Sequence, residues 1–268
     1  MEDRLVTLER VERTAIIIMN NPPVNVINEK LRVQLKQCLM EAANDDGVSA
    51  IIITGVGQKA FMAGADIKDF PAMVKTPRAA YEFVYHAYEV LFFLEQIGKP
   101  TIAAINGMAL GAGLELALCC DIRISAESAN VGLPEIKLGL FPGGGGTQRL
   151  SRLIGKSKAK ELIFTGESIT ADRALELGIV NHVVPEGTVL ERAMELADVM
   201  GKYSAAALSA AKEAIDCGEN LSLRDGIEYE AQMFQCVFMG DEVGEGIDAF
   251  LEKRLPNFHK KSNSIRRK

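Results

Sequence analysis

The sequence predicts an α/β fold, and three observations carry that reading. Short apolar segments alternate with segments of helical spacing through roughly the first 185 residues, the pattern of buried strands between helices. Two of the apolar runs, "VSAIIITG" and "PTIAAING", are continuous, as expected of strands covered on both faces. Beyond Pro185 no convincing strand follows, and amphipathic helical segments succeed one another.

Taken in order, "RLVTLERVERTAIIIMN" reads as two strands around a polar turn near Glu12. Pro22 and Pro23 then interrupt regular structure. "NEKLRVQLKQCLMEAANDD" places Leu31, Leu35, Cys38, Leu39 and Ala42 on one helical stripe, with Asn28 as N-cap. "VSAIIITG" is a buried strand ending at Gly55, and "GVGQKAFMAGADIKDF" reads as a glycine-bearing loop. Thr76 and Pro77 open a long helix that ends before Gly98. "PTIAAING" is the next strand, "GAGLELALCCD" begins a helix, and "IRISAES" is a third internal strand. We expect an α/β core over residues 1–195 and a helical C-terminal region over 196–268. Met194, Met200, Met233 and Met239 in the helical part read as core or interface filler.

Composition narrows the function. With 48% hydrophobic and 25% charged residues, the chain falls in the range of soluble globular proteins. A net charge of -6 argues against nucleic acid as the main partner. The one strongly basic run, residues 259–268, reads as a solvated C-terminus. Five cysteines without a CxxC spacing suggest a reducing, cytoplasmic setting. The charged N-terminus "MEDRLVTLER" is unlike a signal peptide. No apolar run approaches the roughly 18 residues of a membrane span.

Several tempting motifs fail on context. Gly55-Val-Gly57-Gln-Lys-Ala60 matches a dinucleotide-binding fingerprint, yet no helix opens inside it. "GKS" at 155–157 has leucine at position 150, where a P-loop needs glycine. The run Gly143 to Gly146 lacks a suitably placed lysine and reads as a tight turn or close backbone contact. No G-x-S-x-G elbow occurs, His86, His182 and His259 are scattered, and neither a metal site nor a Ser–His or Cys–His nucleophile is expected. Cys119 and Cys120 sit in an apolar helix and read as small hydrophobes.

Two carboxylates remain. Glu115 lies inside the apolar stretch "ALGAGLELALCCD", with no basic residue beside it until Arg123. Glu135 lies in "VGLPEIKLGLFPGGGG", where Pro134 favours a loop. Either alone could be a satisfied buried group or a helix-end contact. Together, bracketed by glycine loops, they suit acid–base addition of water, because two carboxylates in one pocket separate in proton affinity. The loops "MAGADI" and "ALGAG" could each offer a backbone N–H at a helix start, the makings of an oxyanion hole.

The stretches "AFMAGADIKDF", "PTIAAINGMALGAGLELALCCDIRISAESANVGLPEIKLGLFPGGGGTQRL" and "AKELIFTGESITADRALELGIVNHVV" resemble the enoyl-CoA hydratase (crotonase) family, and the resemblance runs over nearly the whole chain. It implies a spiral of ββα turns with a helical C-terminal region that builds trimers, usually paired into hexamers. It implies an acyl-CoA thioester as substrate, with no metal or redox cofactor. By motif, the oxyanion donors would be the N–H groups of Ala65 and Ala112, the latter standing where the family often has glycine. Ala63, Asp66, Ile67, Lys68 and Gly113 would belong to the CoA and thioester site, and Phe141 would shape the acyl pocket.

The same resemblance gives Glu115 the task of holding and activating water and Glu135 that of exchanging the α-carbon proton. Water would then add syn across the 2,3 double bond of a 2-enoyl-CoA. Water and substrate would be the partners that make Glu115 tolerable in its apolar stretch. Two rival readings stand beside this one. The segments "PGGGGTQRL" and "AKELIF" are similar to the 3-methylglutaconyl-CoA hydratase branch, some members of which bind RNA. A non-catalytic acyl-CoA-binding subunit would keep the loops without needing both glutamates.

Overall fold

The structure, a computed structural model, describes residues 4–73 and 76–258. The basic run at 259–268 and His259 lie outside the described residues.

The chain opens with β1 (Val6–Val11) and β2 (Thr14–Met19), an antiparallel pair. Their two-residue turn holds Glu12 at a φ of 52°, as tight hairpins require. In α1 (Glu29–Asn44) the Asn28 side chain accepts the Leu31 N–H at 2.9 Å, and the five stripe residues are the buried ones.

Three turns of a spiral follow. The first contains β3 (Ala50–Gly55), β4 (Ala60–Ala63), α2 (Phe70–Met73) and α3 (Pro77–Gln96). The second contains β5 (Thr101–Ile105), β6 (Met108–Leu110) and α4 (Ala112–Leu118). The third contains β7 (Ile122–Ala126), β8 (Asn130–Gly132), a 3-10 segment over Pro134–Leu138, α5 (Gly146–Ile154) and α6 (Lys156–Thr165). Each turn lays its first strand in one sheet and its second in another. After β9 (Ser168–Thr170), α7 (Ala171–Glu176) and β10 (His182–Val184), the larger sheet has the order β1-β2-β3-β5-β7-β10 and the smaller β4-β6-β8-β9. From β2 onward the larger sheet is parallel, as are the first three strands of the smaller. β3 and β5 are buried along their whole length, which accounts for their unbroken apolar sequence.

This is the spiral of ββα turns that the resemblance implies. The sequence reading did not foresee β4, β6, β8, β9 and β10, and it took the β4 segment for a loop. These strands are only three or four residues long. That length is too short to display a period, and their ladders come from neighbours rather than from local pattern. Where the second turn crosses the first, α4 lies almost on the β4 backbone. A Cβ at Gly113 would stand 1.9 Å from the Met62 carbonyl oxygen. Gly113→Ala is therefore expected to lower stability by about 1–3 kcal/mol, although the same change in an open helix stabilises. A raised thermal midpoint would contradict this packing.

Four helices complete the chain: α8 (Val189–Met200), α9 (Ala205–Gly218), α10 (Leu223–Phe238) and α11 (Asp241–Leu251). Ala193 and Ala197 of α8 are buried against the larger sheet, so the boundary expected between residues 195 and 196 falls inside a helix that packs on the core. Met194 and Met200 pack there too. In contrast, α9 and α10 pair with each other and bury no residue fully. Leu223, Phe234, Met239, Phe250 and Leu255 of this C-terminal part are largely exposed. Among the described residues, no helix is long and apolar enough to cross a membrane.

Candidate active site

The site grows from the parallel pairing of β4 with β6, which sets Ala63 opposite Leu110. Two residues further along each chain stand Ala65 and Ala112. Both therefore stand just beyond the paired ends of the two strands. On its other edge Ala65 forms a bridge with Ile27, in which the Ile27 N–H donates to Gly64 O and the Asp66 N–H donates to Ile27 O. That pattern leaves the Ala65 N–H directed to the opposite edge, the side of β6. Ala112 is the first residue of α4, so its own N–H has no partner within the helix. Gly111 makes the reversal between β6 and α4 with φ 54° and ψ -123°, a conformation open to glycine and strained for other residues.

Glu115, in the first turn of α4, is 3% exposed. The sequence reading gave it water and substrate as partners. Within the protein it has two backbone donors: Oε1 accepts the Gly144 N–H at 2.7 Å and the Gly146 N–H at 2.8 Å. Burial pushes its carboxyl up from the usual range, while these two bonds and the nearby Arg149 charge oppose the rise. The glycine run is required by this contact, since a Cβ on Gly144 would lie 2.4 Å from Glu115 Oε2. Both readings of that run appear in the structure: close backbone contact at Gly144, and a turn in which Gly145 has a φ of 95°.

Glu135 sits in the 3-10 segment, just after Pro134 and not in an irregular loop. A Cβ on Gly111 would lie 2.9 Å from Glu135 Oε1, so this carboxyl abuts the start of α4 and the end of β6. Its Oε2 is buried and has no hydrogen-bond partner among the described residues. Burial, with the Glu115 charge adding to it, pushes the Glu135 carboxyl up to about 7. The two environments thus differ in kind. Glu115 has donors and a cation that favour its ionised form. Glu135 has a bare oxygen that is far less costly when the group is protonated.

Of the remaining candidates, Ala63 ends β4, and Asp66 caps a 3-10 turn over Ile67–Asp69 by accepting the Lys68 N–H at 3.1 Å. Ile67 and Lys68 are exposed beside it. Gly113 is buried against Met62 and supplies the close approach of α4. Phe141 is 70% exposed. His86 lies exposed on α3, 3.8 Å from Glu89. Cys119 and Cys120 are buried, and burial pushes both thiols up, so they are poor nucleophiles. A cleft of about 1400 Å³ lies between α3, α5 and the α9–α10 pair and is lined by neither glutamate. The sequence reading missed Gly144 and Gly146 as ligands of Glu115. The signal available was the glycine run itself, which begins eight residues after Glu135.

Comparison with known proteins agrees with this architecture. The model of the enoyl-CoA hydratase/isomerase family matches residues 9–261. The chain is 41% identical over 257 residues to 2,3-dehydroadipyl-CoA hydratase of Escherichia coli (strain K12), covering 94% of this chain and 97% of that protein. It is 39% identical over 254 residues to crotonyl-CoA hydratase of Syntrophomonas wolfei, covering 94% of this chain and 97% of the relative. Among solved structures, an enoyl-CoA hydratase from Bacillus anthracis superposes with a TM-score of 0.91 at 39% identity, covering 96% of this chain and 100% of that one.

Proposed function

This chain belongs to the enoyl-CoA hydratase/isomerase family, and from that premise we propose that it is a hydro-lyase adding water across the 2,3 double bond of a 2-enoyl-CoA to give a 3-hydroxyacyl-CoA in fatty-acid or branched amino-acid degradation. The observation that carries the mechanism is the meeting of two glutamates of opposite electrostatic support beside the Ala65–Ala112 backbone pair.

The thioester oxygen sits between the N–H groups of Ala65 and Ala112. Both donors are fixed by the β4–β6 register before substrate arrives, so they meet the developing enolate charge without reorganisation. Ionised Glu115 holds a water and takes its proton as the hydroxyl adds to C3. Protonated Glu135 delivers its proton to C2. Glu115 then carries a proton and Glu135 lacks one; return of that proton, directly or through solvent, resets the pair. Both carboxyls work on the same face of the double bond, which gives syn addition. No metal or redox cofactor enters the scheme, and the CoA thioester is the substrate. Asp66, Ile67 and Lys68 lie directly beyond the first oxyanion donor, where the CoA portion leaves the site.

Three further points belong to this reading. The exposed apolar residues of α10 and α11 suit assembly into a trimer, or a hexamer of paired trimers. The five unpaired cysteines suit a reducing compartment such as the cytoplasm. The core carries the chemistry and the α9–α11 region the assembly. We expect loss of the conjugated-thioester absorbance when the protein meets crotonyl-CoA. Longer straight chains, 2,3-dehydroadipyl-CoA and 3-methylglutaconyl-CoA then rank the acyl preference. Binding of these thioesters without turnover of any would overturn the hydratase assignment.

A further inference from the structure

One charged cluster beside the glutamates takes no part in the scheme above. Arg149 of α5 forks onto Glu95 near the end of α3: Nε pairs with Oε1 and Nη2 with Oε2 at 2.8 Å. Its third arm, Nη1, donates to the Gly144 carbonyl at 2.8 Å. The guanidinium also lies 5.8 Å from the centre of the Phe92 ring. The arginine side chain is only 15% exposed, so this is a built contact and not a surface pair.

The residue Arg149 grips is the one that grips Glu115. Gly144 gives its carbonyl to Arg149 and its N–H to Glu115. The second donor, Gly146, opens the helix that carries Arg149. We propose that Arg149, locked by Glu95, is a positioning residue that fixes the 143–146 loop and thereby aims the Glu115 carboxylate at the attacking water. This rests on Glu115 being the water-activating base. A guanidinium fits the task because its rigid fork meets a carboxylate with two arms and leaves a third for a carbonyl, which a lysine cannot do. The charge acts in the same direction, opposing the upward push of burial on Glu115. The other titratable groups around Glu115 are Glu135 from the 3-10 segment, Cys119 one turn further along α4, and Glu95 behind Arg149.

The test is a double-mutant cycle on the full chain with crotonyl-CoA. Arg149→Gln is expected to lower kcat about ten- to a hundredfold, as small misplacements of a reacting group do, with KM little changed. The acidic limb of the kcat–pH profile should move to higher pH, because Glu115 loses a cation that favours its ionised form. Arg149→Lys should return that limb toward the wild-type position while recovering kcat only in part. In a Glu115→Gln background, Arg149→Gln should cost almost nothing more. If Arg149→Gln does not fold, Glu95→Gln supplies the same comparison, with a smaller kcat loss that also vanishes without Glu115. Equal losses in both backgrounds, with the pH limb unmoved, would overturn the proposal. So would wild-type kinetics of Arg149→Gln alongside an inactive Glu115→Gln. Full activity of Glu115→Gln would instead overturn the assignment of Glu115 as base.

Discussion

Glu115→Gln is expected to lower kcat for crotonyl-CoA hydration by about a hundred- to ten-thousandfold, the range for loss of a positioned general base, while the protein folds normally. The two effects separate because the contacts of Glu115 divide between them. Both backbone donors go to one oxygen, Oε1. The amide of Gln keeps a carbonyl oxygen that accepts from Gly144 and Gly146 as before. What it lacks is the ability to take a proton from water. The amide loses the attraction to Arg149, but it also removes a charge that burial disfavours, and the two effects oppose each other. Circular dichroism and the thermal midpoint check the fold, and steady-state rates check the chemistry. Near-normal turnover in a folded variant would remove Glu115 from the mechanism.

Glu135→Gln is expected to lower kcat over a similar range, about a hundred- to ten-thousandfold, and to change the shape of the pH profile. In the proposed mechanism the working form has Glu115 ionised and Glu135 protonated. Rate should therefore rise on the acidic side as Glu115 gives up its proton. It should fall on the alkaline side as Glu135 loses its own, near the value of about 7 to which burial pushes it. The sign follows from the role: a raised value preserves the acid up to neutral pH, and the acid is lost above it. Gln cannot titrate, so the alkaline fall should disappear from the small residual rate. Solvent deuterium entering at C2 provides a second readout and should be lost with the acid. An alkaline limb that survives the substitution would assign the titration to another group.

The two carboxylates owe their difference to ordinary forces acting on similar groups. Glu115 is the more buried, yet two N–H donors and a guanidinium surround it. Glu135 is less enclosed, but one oxygen has no donor among the described residues. Burial raises both, and the hydrogen bonds and the Arg149 charge oppose that rise at Glu115.

Much of this protein is legible along the chain. The apolar runs of β3 and β5, the stripe of α1, the caps at Asn28 and Thr76 and the all-helical ending depend on local pattern, and each appears where the pattern predicts it. The two glutamates also stand out locally, because a carboxylate inside an apolar, glycine-flanked stretch conflicts with its surroundings. Their partners are a different matter. The ends of β4 and β6, beyond which the proposed oxyanion donors stand, are set side by side by the register of two strands too short to be read from their own residues. Gly144 and Arg149 reach Glu115 and Glu95 across 29 and 54 residues of sequence. Periodicity and capping act over one turn of chain, so the sequence by itself determined which faces are buried and which residues are chemically out of place. Which groups meet across the spiral is decided only when distant turns close on one another, and that closure made a site from an isolated carboxylate.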